Sequence, residues 1–262
     1  MSVFSRFFHS RDKPEELRRA QIPLYALESG DAVREFDILG FSLGYEMAFS
    51  NVLNVLDLAG IPLHASERTA LTPLIMAGGT ACFNAEPLAE FIDLFSLGEG
   101  EDVTVEIIEL YRRAKREGWD KPRFLRAAAR IEGVYVPNLY DVSYHADGTV
   151  AAIEARDGAP QVVTKRIVQD MDKAYFPAKT IVPSTEVIND RVTLELFRGC
   201  IRGCRFCQAG MVYRPVRERS LEELKDLAYK MLKSTGHEEI SLSSLSSSDY
   251  SHLKEIVNFL ID

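Results

Sequence analysis

The sequence contains few cysteines, few histidines and no long apolar run. Only 4 of its 262 residues are Cys and 5 are His. An uninterrupted apolar stretch of about 18 residues is absent, so we expect no membrane-spanning helix and no membrane partner. The beginning of the chain is too interrupted by polar residues for the apolar segment of a secretory signal. We therefore expect a protein of the cytoplasm, where thiols stay reduced.

A strong excess of positive charge is also missing. The net charge is −8, which argues against indiscriminate binding to nucleic acid or anionic membranes, although a local basic patch is compatible with it. The composition, 46% hydrophobic and 27% charged, is typical of a globular protein. A chain of 262 residues is long enough for one large or two ordinary domains.

Three of the four cysteines stand close together in the sequence. Cys200, Cys204 and Cys207 form a C-x3-C-x2-C cluster. Three thiolates at this spacing can converge on one inorganic centre. A cubane iron–sulfur cluster normally takes four cysteines, so three ligands leave one iron open to a small molecule. The spacing therefore favours a reactive iron–sulfur site.

Other interpretations of the cysteines are less favoured. A zinc site usually takes four ligands in paired Cys or Cys/His units, but the nearest downstream histidine is His237 and there is no second Cys pair. A disulfide framework requires an even number of cysteines in a secreted chain. Chance clustering without a metal stays open. The isolated Cys82 is predicted to serve packing.

The first part of the chain alternates predicted strands and helices. Strands are predicted at 37–43, 74–77 and 94–97, and helices at 51–59, 87–92 and 102–117. Such alternation with short connections is typical of a parallel, doubly wound α/β sheet, in which ligands bind at the carboxyl ends of the strands. Gly78-Gly79 and Gly98-Glu99-Gly100-Glu101 lie there. Glycines permit close approach of a ligand, but by themselves they favour tight turns.

The rest of the chain has a different pattern. A β-hairpin is predicted with strands at 134–144 and 150–155, followed by a connector broken by prolines. A strand at 193–197, the cysteine loop, a helix from the capping box at Ser220, a strand at 239–245 and a helix at 250–261 follow. We predict three segments: a doubly wound domain at 1–132, a linking segment at 133–190 and a second α/β domain at 191–262. Two parallel strands do not form a core of their own, so a fragment is expected.

The residues around the cysteines resemble a known family. Leu194–Gly210, with aromatic Phe206 just before the last cysteine, is similar to the radical S-adenosylmethionine (radical SAM) enzymes. With Arg214–Ser220, it resembles an uncharacterised branch that carries a cobalamin-binding-like domain ahead of the radical domain. The resemblance extends from about residue 20 onward. It implies a Rossmann-like, cobalamin-binding-like domain followed by the start of a partial (β/α)6 barrel.

The resemblance also implies cofactors and a reaction. Cys200, Cys204 and Cys207 are expected to hold a [4Fe–4S] cluster whose open iron chelates S-adenosylmethionine (SAM). Reductive cleavage of SAM then gives a 5′-deoxyadenosyl radical that abstracts hydrogen from a C–H bond. Methylation, methylthiolation and other C–H functionalisation stay open, with RNA or protein as the substrate. An electron donor of the flavodoxin or ferredoxin type is expected.

Side chains near the cysteines are candidates for supporting roles. Phe206 is predicted to contact the adenine of SAM, with loop packing as the alternative. The arginines Arg198, Arg202 and Arg205 either raise the cluster potential or are merely solvated.

A serine-rich segment follows the second strand of the last domain. Many radical SAM enzymes have a Gly-Gly-Glu element there that binds the SAM amino group. Ser243, Ser244 and Ser246 are predicted to replace it as SAM contacts, although a serine-rich segment is also typical of a plain loop.

Two departures from the family concern cobalamin. The Asp-x-His-x-x-Gly element that supplies a cobalt ligand is absent, and the additional upstream strand is missing. Cobalamin is therefore not expected to bind strongly, and His64 and His145 are predicted to be surface or turn residues. Two other functions stay open: a non-catalytic iron–sulfur electron-transfer or sensor module, and an inactive fragment whose doubly wound domain folds alone and whose cysteines stay unmetallated. We predict that this chain assembles a cluster but cleaves SAM slowly or not at all.

Overall fold

The structure is a computed structural model that describes residues 13–185 and 187–261. The chain divides into two compact units, one up to Ile167 and one from Val168. The first twelve residues of the predicted first domain, including His9, lie outside the described residues. The unit boundary falls within the predicted linking segment, 133–190, and the three-part division stays a prediction.

The first unit contains a four-stranded sheet with the order β1-β2-β3-β4. Its strands are β1 (Ile38–Ser42), β2 (Leu74–Gly78), β3 (Leu94–Ser96) and β4 (Val134–Tyr135). The first three strands are parallel, and β4 is antiparallel to β3. The predicted parallel α/β sheet is thus confirmed.

Helices cover both faces of this sheet. They are α1 (Lys13–Ala20), α2 (Phe49–Ala59), α3 (Gly100–Glu117) and α4 (Lys121–Ala128). On one face, Phe41 and Ile75 share a core with Val52 and Leu56 of α2. On the other face, the core contains buried residues of β2, β3, α3 and α4, among them Leu74, Leu94, Ile107 and Phe124. Since successive strand residues point to opposite faces, one sheet serves both cores, as a doubly wound fold requires.

Two short segments differ from the predictions. The predicted helix at 87–92 is wrong, because residues Glu86–Leu88 form only one 3-10 turn. The chain has few residues between this turn and β3, which leaves no room for a longer helix. Helix α4 was not predicted. Its signals are present, because the side chain of Asp120 accepts from the Arg123 amide at 2.8 Å and a proline occupies the first turn.

The predicted hairpin is confirmed with a shorter first strand. Strand β5 (Tyr140–Tyr144) pairs antiparallel with β6 (Val150–Ala155). The residues from Val134 to Tyr135 instead extend the main sheet as β4. In the connecting turn, the carboxylate of Asp147 accepts from the amide of Thr149 at 2.9 Å.

A buried charge cluster ties together the connections of the first unit. The carboxylate of Asp93 lies 3.1 Å from Arg68 Nη2 and 2.9 Å from Lys121 Nζ, and it accepts from the Ile75 amide at 2.8 Å. All three charged side chains are at most 5% exposed. Burial lowers the pKa of Lys121, against the opposing effect of the Asp93 carboxylate.

The second unit is built on two parallel strands. These are β7 (Val192–Glu195) and β10 (Ile240–Ser243), and Leu194 lies opposite Leu242. A short antiparallel pair, β8 (Phe197–Arg198) with β9 (Arg217–Glu218), lies at either end of the cysteine loop and α5 (Ala209–Val212). Helices α6 (Leu221–Thr235) and α7 (Leu253–Ile261) complete the unit.

The two parallel strands do contribute to a hydrophobic core, contrary to the expectation, because the two longer helices pack against them. Buried Val192 and Leu194 of β7 pack with Leu224 of α6 and Ile256 of α7. One half of the predicted capping box is confirmed, because the hydroxyl of Ser220 accepts from the Glu223 amide at 3.2 Å. The Ser220 amide donates instead to the carboxylate of Asp172, at 2.8 Å. The predicted order of strand, loop, helix, strand and helix is also confirmed. The described residues form no closed barrel. They also include no helix long and apolar enough to cross a bilayer.

Candidate functional site

The cysteine loop follows a strand, as predicted; it comes after β7 and β8 and leads into α5, a short helix that was not predicted. Gly199 opens the loop with φ +89°, and a Cβ there would lie 2.7 Å from the carbonyl oxygen of Pro215. Only glycine fits both the left-handed backbone and the close approach of the returning chain. The paired strands β8 and β9 thereby hold both ends of the loop together.

The three clustered thiols are free and reachable from solvent. None of the four cysteines forms a disulfide. Cys204 is exposed, Cys200 and Cys207 are half-buried, and the amide of Arg202 points to Cys200 Sγ at 3.5 Å. Cysteine sulfur is the usual ligand of iron–sulfur clusters, and three cysteines on one accessible loop provide it.

The cysteine loop is not arranged as a site for a single metal ion. Among the described residues, no group of three or more His, Cys, Asp or Glu side chains lies close enough to hold one metal ion. In a cubane each thiolate binds a different iron, so a cluster requires thiols spaced around it and not directed at one point. The loop supplies the kind of ligand that an iron–sulfur cluster takes. The assignment of the three cysteines to a cluster stays a prediction.

Cys82 behaves as predicted. It is 1% exposed and belongs to the core on the α2 face of the first unit. Burial raises the pKa of its thiol to about 12, so it stays protonated and unreactive near neutral pH. The predicted surface positions of His64 and His145 are confirmed as well, since both side chains are exposed.

Phe206 does not pack against the loop. Its side chain is 92% exposed, and Ile201 and Met211 of the same segment are 68% and 51% exposed. Loop packing, the alternative role predicted for Phe206, is therefore not seen among the described residues. Its contact with adenine stays a prediction.

Two of the three arginines are paired with carboxylates. Arg198 donates to both carboxylate oxygens of Glu195, at 2.8 and 3.1 Å. Arg202 binds Asp249 through Nε at 2.7 Å and through Nη2. Hydrogen bonding by the Arg202 guanidinium lowers the pKa of Asp249, and the same contact raises the pKa of Arg202. Arg205 is exposed and forms no ion pair with any described residue.

The serine-rich segment lies beside the cysteine loop, because Arg202 and Asp249 connect them. Its hydroxyls are partly engaged within the segment: Ser246 donates to Asp249 at 2.7 Å, and Ser244 bonds Ser247 at 2.9 Å. The side chain of Ser243 is exposed at the end of β10. The predicted SAM contacts of these serines stay predictions.

Sequence reasoning missed two charged residues at the same end of the sheet. Glu195 ends β7 and holds Arg198. Arg219 is 1% exposed, donates to the Met171 carbonyl oxygen, and lies 3.6 Å from the Glu195 carboxylate. Its guanidinium also lies 5.0 Å from the ring centre of Phe176. The available signal was a single Glu in the apolar run Val192–Phe197, which places a carboxylate on the polar face of the strand.

Two glycines in the turns of the first unit are required by their backbone conformation and by close contacts with neighbouring backbone. Gly79 has φ +104°, and a Cβ there would lie 2.5 Å from the carbonyl oxygen of Leu43. Gly98 has φ +106°, and a Cβ there would collide with the Arg166 backbone. These two glycines are required by backbone geometry, as the residues alone favoured.

Two family models match the sequence. Residues 2–137 match the N-terminal region of radical SAM proteins, and residues 194–262 match the radical SAM superfamily. The first match alone covers more than half of the chain. The chain belongs to the radical SAM family. The cysteine loop of this radical SAM protein lies within the second match.

A curated protein that is similar to this radical SAM chain is about twice as long. Protein MJ0966 of Methanocaldococcus jannaschii, itself uncharacterised, is 29% identical over 248 residues, which are 94% of this chain and 46% of that protein. The chain therefore spans less than half of the relative that it matches.

Two structures of TsrM, a radical SAM methyltransferase from Kitasatospora setae, also match. One holds tryptophan and a SAM analogue, and its TM-score is 0.46 at 14% identity over 95% of this chain and 42% of TsrM. The other holds cobalamin and a [4Fe–4S] cluster, and its TM-score is 0.47 at 16% identity over 87% of this chain and 41% of TsrM.

Proposed function

We propose that Cys200, Cys204 and Cys207 hold a [4Fe–4S] cluster that serves the reductive cleavage of SAM for C–H functionalisation. The observation that carries this proposal is the C-x3-C-x2-C loop with three free, accessible thiols in a chain of the radical SAM family. Methylation or methylthiolation is the reaction class. RNA or protein is the substrate class, and a flavodoxin- or ferredoxin-type protein in a reducing cytoplasm is the electron donor.

The cluster and the chain have separate tasks. When bound and reduced, the cluster supplies the electron that cleaves the C5′–S bond of SAM, giving methionine and a 5′-deoxyadenosyl radical. The thiols of Cys200, Cys204 and Cys207 would be the ligands of this cluster. Phe206 offers an apolar face to the adenine, and hydroxyls of Ser243, Ser244 and Ser246 accept from the SAM amino group.

The charges around the loop are balanced by the chain itself. Arg198 and Arg202 are each bound to a carboxylate, so the loop does not carry three free cations. These ion pairs orient the loop more than they add net charge to it. The sequence lacks the Asp-x-His-x-x-Gly element that supplies a cobalt ligand, and strong cobalamin binding is not part of the proposal.

Release of 5′-deoxyadenosine tests the proposal. The reconstituted protein is reduced with dithionite under anaerobic conditions and incubated with SAM. The chain of 262 residues is compared with its Cys204→Ala variant. We expect slow release by the chain, above the background that the variant gives. Equal release by that variant would rule out the three-cysteine site.

A further inference from the structure

We propose that the outer face of α3 and α4 binds the phosphate backbone of RNA. Residues 111–130 carry eight basic and two acidic side chains, a net charge of +6 within a chain whose net charge is −8. All of these residues belong to the first unit. RNA binding at this face rests on the proposed function in one respect, because it makes RNA, and not protein, the substrate class.

The arginines of this segment lie on the solvent side of the two helices. Both helices contribute buried residues to one core, among them Tyr111 and Ala114 of α3 and Phe124 and Leu125 of α4. Because helix residues three and four positions apart share a face, the exposed arginines of each helix lie together on the side away from that core. We call this surface the basic face; it consists of Arg112, Arg113, Arg116, Arg123, Arg126 and Arg130.

Trp119, the only tryptophan in the sequence, connects the two helices within the basic face. The guanidinium carbons of Arg113 and Arg123 lie 5.4 and 4.1 Å from its ring centre. The carboxylate of Glu117 accepts from Arg113 Nε and from Trp119 Nε1, each at 2.8 Å. One arginine from each helix is thus held beside the same indole, which makes Trp119 a fluorescent reporter for a ligand on this face.

Four arginines of the basic face have no ion-pair partner among the described residues. These are Arg112, Arg116, Arg126 and Arg130, and all four side chains are exposed. The dipole of a helix favours cations in its last turn, but this effect does not extend to Arg112. A guanidinium binds phosphate oxygens through two parallel hydrogen bonds. The unpaired cations of this face are therefore of the type that suits a phosphate backbone.

The basic face lacks the apolar side chains of a protein or membrane interface. Residues 111–130 are all described, and no large apolar side chain among them is exposed. Protein interfaces have an apolar and aromatic core, and helices that lie on membranes expose an apolar face. A nucleic-acid backbone is bound mainly through charge. Arginine without exposed apolar neighbours therefore favours a nucleic acid over an acidic protein or a lipid surface.

Fluorescence titration of Trp119 with a short single-stranded RNA tests the basic face. We expect saturable quenching and an affinity that falls as the salt concentration rises. The double variant Arg112→Gln, Arg116→Gln should weaken binding at least about tenfold and make the slope of log affinity against log salt shallower by about 1.4, since each phosphate contact contributes about 0.7. The matched control is Arg19→Gln with Arg34→Gln, which removes the same charge from two exposed arginines of the first unit that have no ion-pair partner among the described residues.

The remaining arms separate RNA from other ligands and from the cysteine site. The variant with Cys200, Cys204 and Cys207 replaced by Ala should bind RNA as tightly as the original chain, so a failure of the cluster assignment leaves RNA binding unaffected. RNA should bind more tightly than DNA of the same sequence, because its 2′-hydroxyl groups offer additional acceptors.

Three results would overturn the proposal. The first is the absence of saturable quenching, and the second is equal affinity of the Arg112→Gln, Arg116→Gln variant and the original chain. The third is binding of the DNA, or of a polyglutamate peptide, as tightly as the RNA at equal salt, which would assign the basic face to DNA or to an acidic protein instead. Circular dichroism checks that each variant folds.

Discussion

Phe206 is the most exposed apolar side chain of the cysteine loop, at 92%. Because it packs against little of its own chain, Phe206→Ala should change the free energy of unfolding by less than about 0.5 kcal/mol. If the ring contacts adenine, the same change should weaken SAM binding to the cluster-loaded protein by up to about tenfold. Anaerobic equilibrium dialysis with SAM and a denaturant titration measure the two effects.

A second phenylalanine provides the control. Phe197 is 3% exposed, belongs to the core of the second unit and stacks on Tyr250 with ring centres 6.5 Å apart. Phe197→Ala should cost about 3–5 kcal/mol of stability because it leaves a cavity. Unchanged SAM affinity in Phe206→Ala would contradict the adenine contact and leave this residue without a role in the site.

The ion pair between Arg202 and Asp249 joins two elements, the cysteine loop and the segment after β10. Asp249→Asn keeps the shape of the side chain but removes the charge that orients Arg202. Changes to groups that orient ligands typically cost about 10–100-fold in metal affinity. We therefore expect a chelator to remove iron from the reconstituted variant at least about tenfold faster.

Asp226→Asn is the matched control for this ion pair. Asp226 pairs with Lys230 on α6, both partly exposed, and its loss should leave iron release unchanged. Equal release rates for Asp249→Asn and the original chain would show that the ion pair does not support the loop.

The connections of the first unit depend on Asp93, whose carboxylate faces two buried cations. Asp93→Asn would leave Arg68 and Lys121 without a countercharge, which should cost about 3–5 kcal/mol in the free energy of unfolding. Asp141→Asn is the control, because its pair with Arg156 is more than half exposed and contributes less than about 1 kcal/mol. A loss below about 1 kcal/mol for Asp93→Asn in urea titrations would contradict this role.

Across the whole molecule, features that depend on neighbouring residues in the sequence are predicted better than features that depend on contacts between distant residues. The strands β1 and β2 and the start of α6 at Ser220 are predicted from short stretches of sequence. The cluster of Asp93, Arg68 and Lys121 is not, because its members come from distant connections and meet only in the folded chain. The hydrogen bonds of the serine-rich segment also involve residues that are distant in the sequence, because Asp249 accepts from both Ser246 and Arg202.

The predicted helix at 87–92 failed for a related reason. Pro87 suits the first turn of a helix, but it does not show how soon the chain must enter β3. Asp120 and Pro122 together form a complete start signal for helix α4. Family resemblance supplied the chemistry of Cys200, Cys204 and Cys207, which no packing argument could have supplied.

Iron binding by the three clustered cysteines tests the central claim most directly. The chain is reconstituted anaerobically with iron and sulfide, desalted, and analysed for iron, sulfide and thiolate-to-iron charge-transfer absorption. We predict close to four irons per chain, as one cubane requires, retention of this content in Cys82→Ala, and its loss when Cys200, Cys204 and Cys207 are all replaced by Ala. Full iron content in the triple variant would contradict the account.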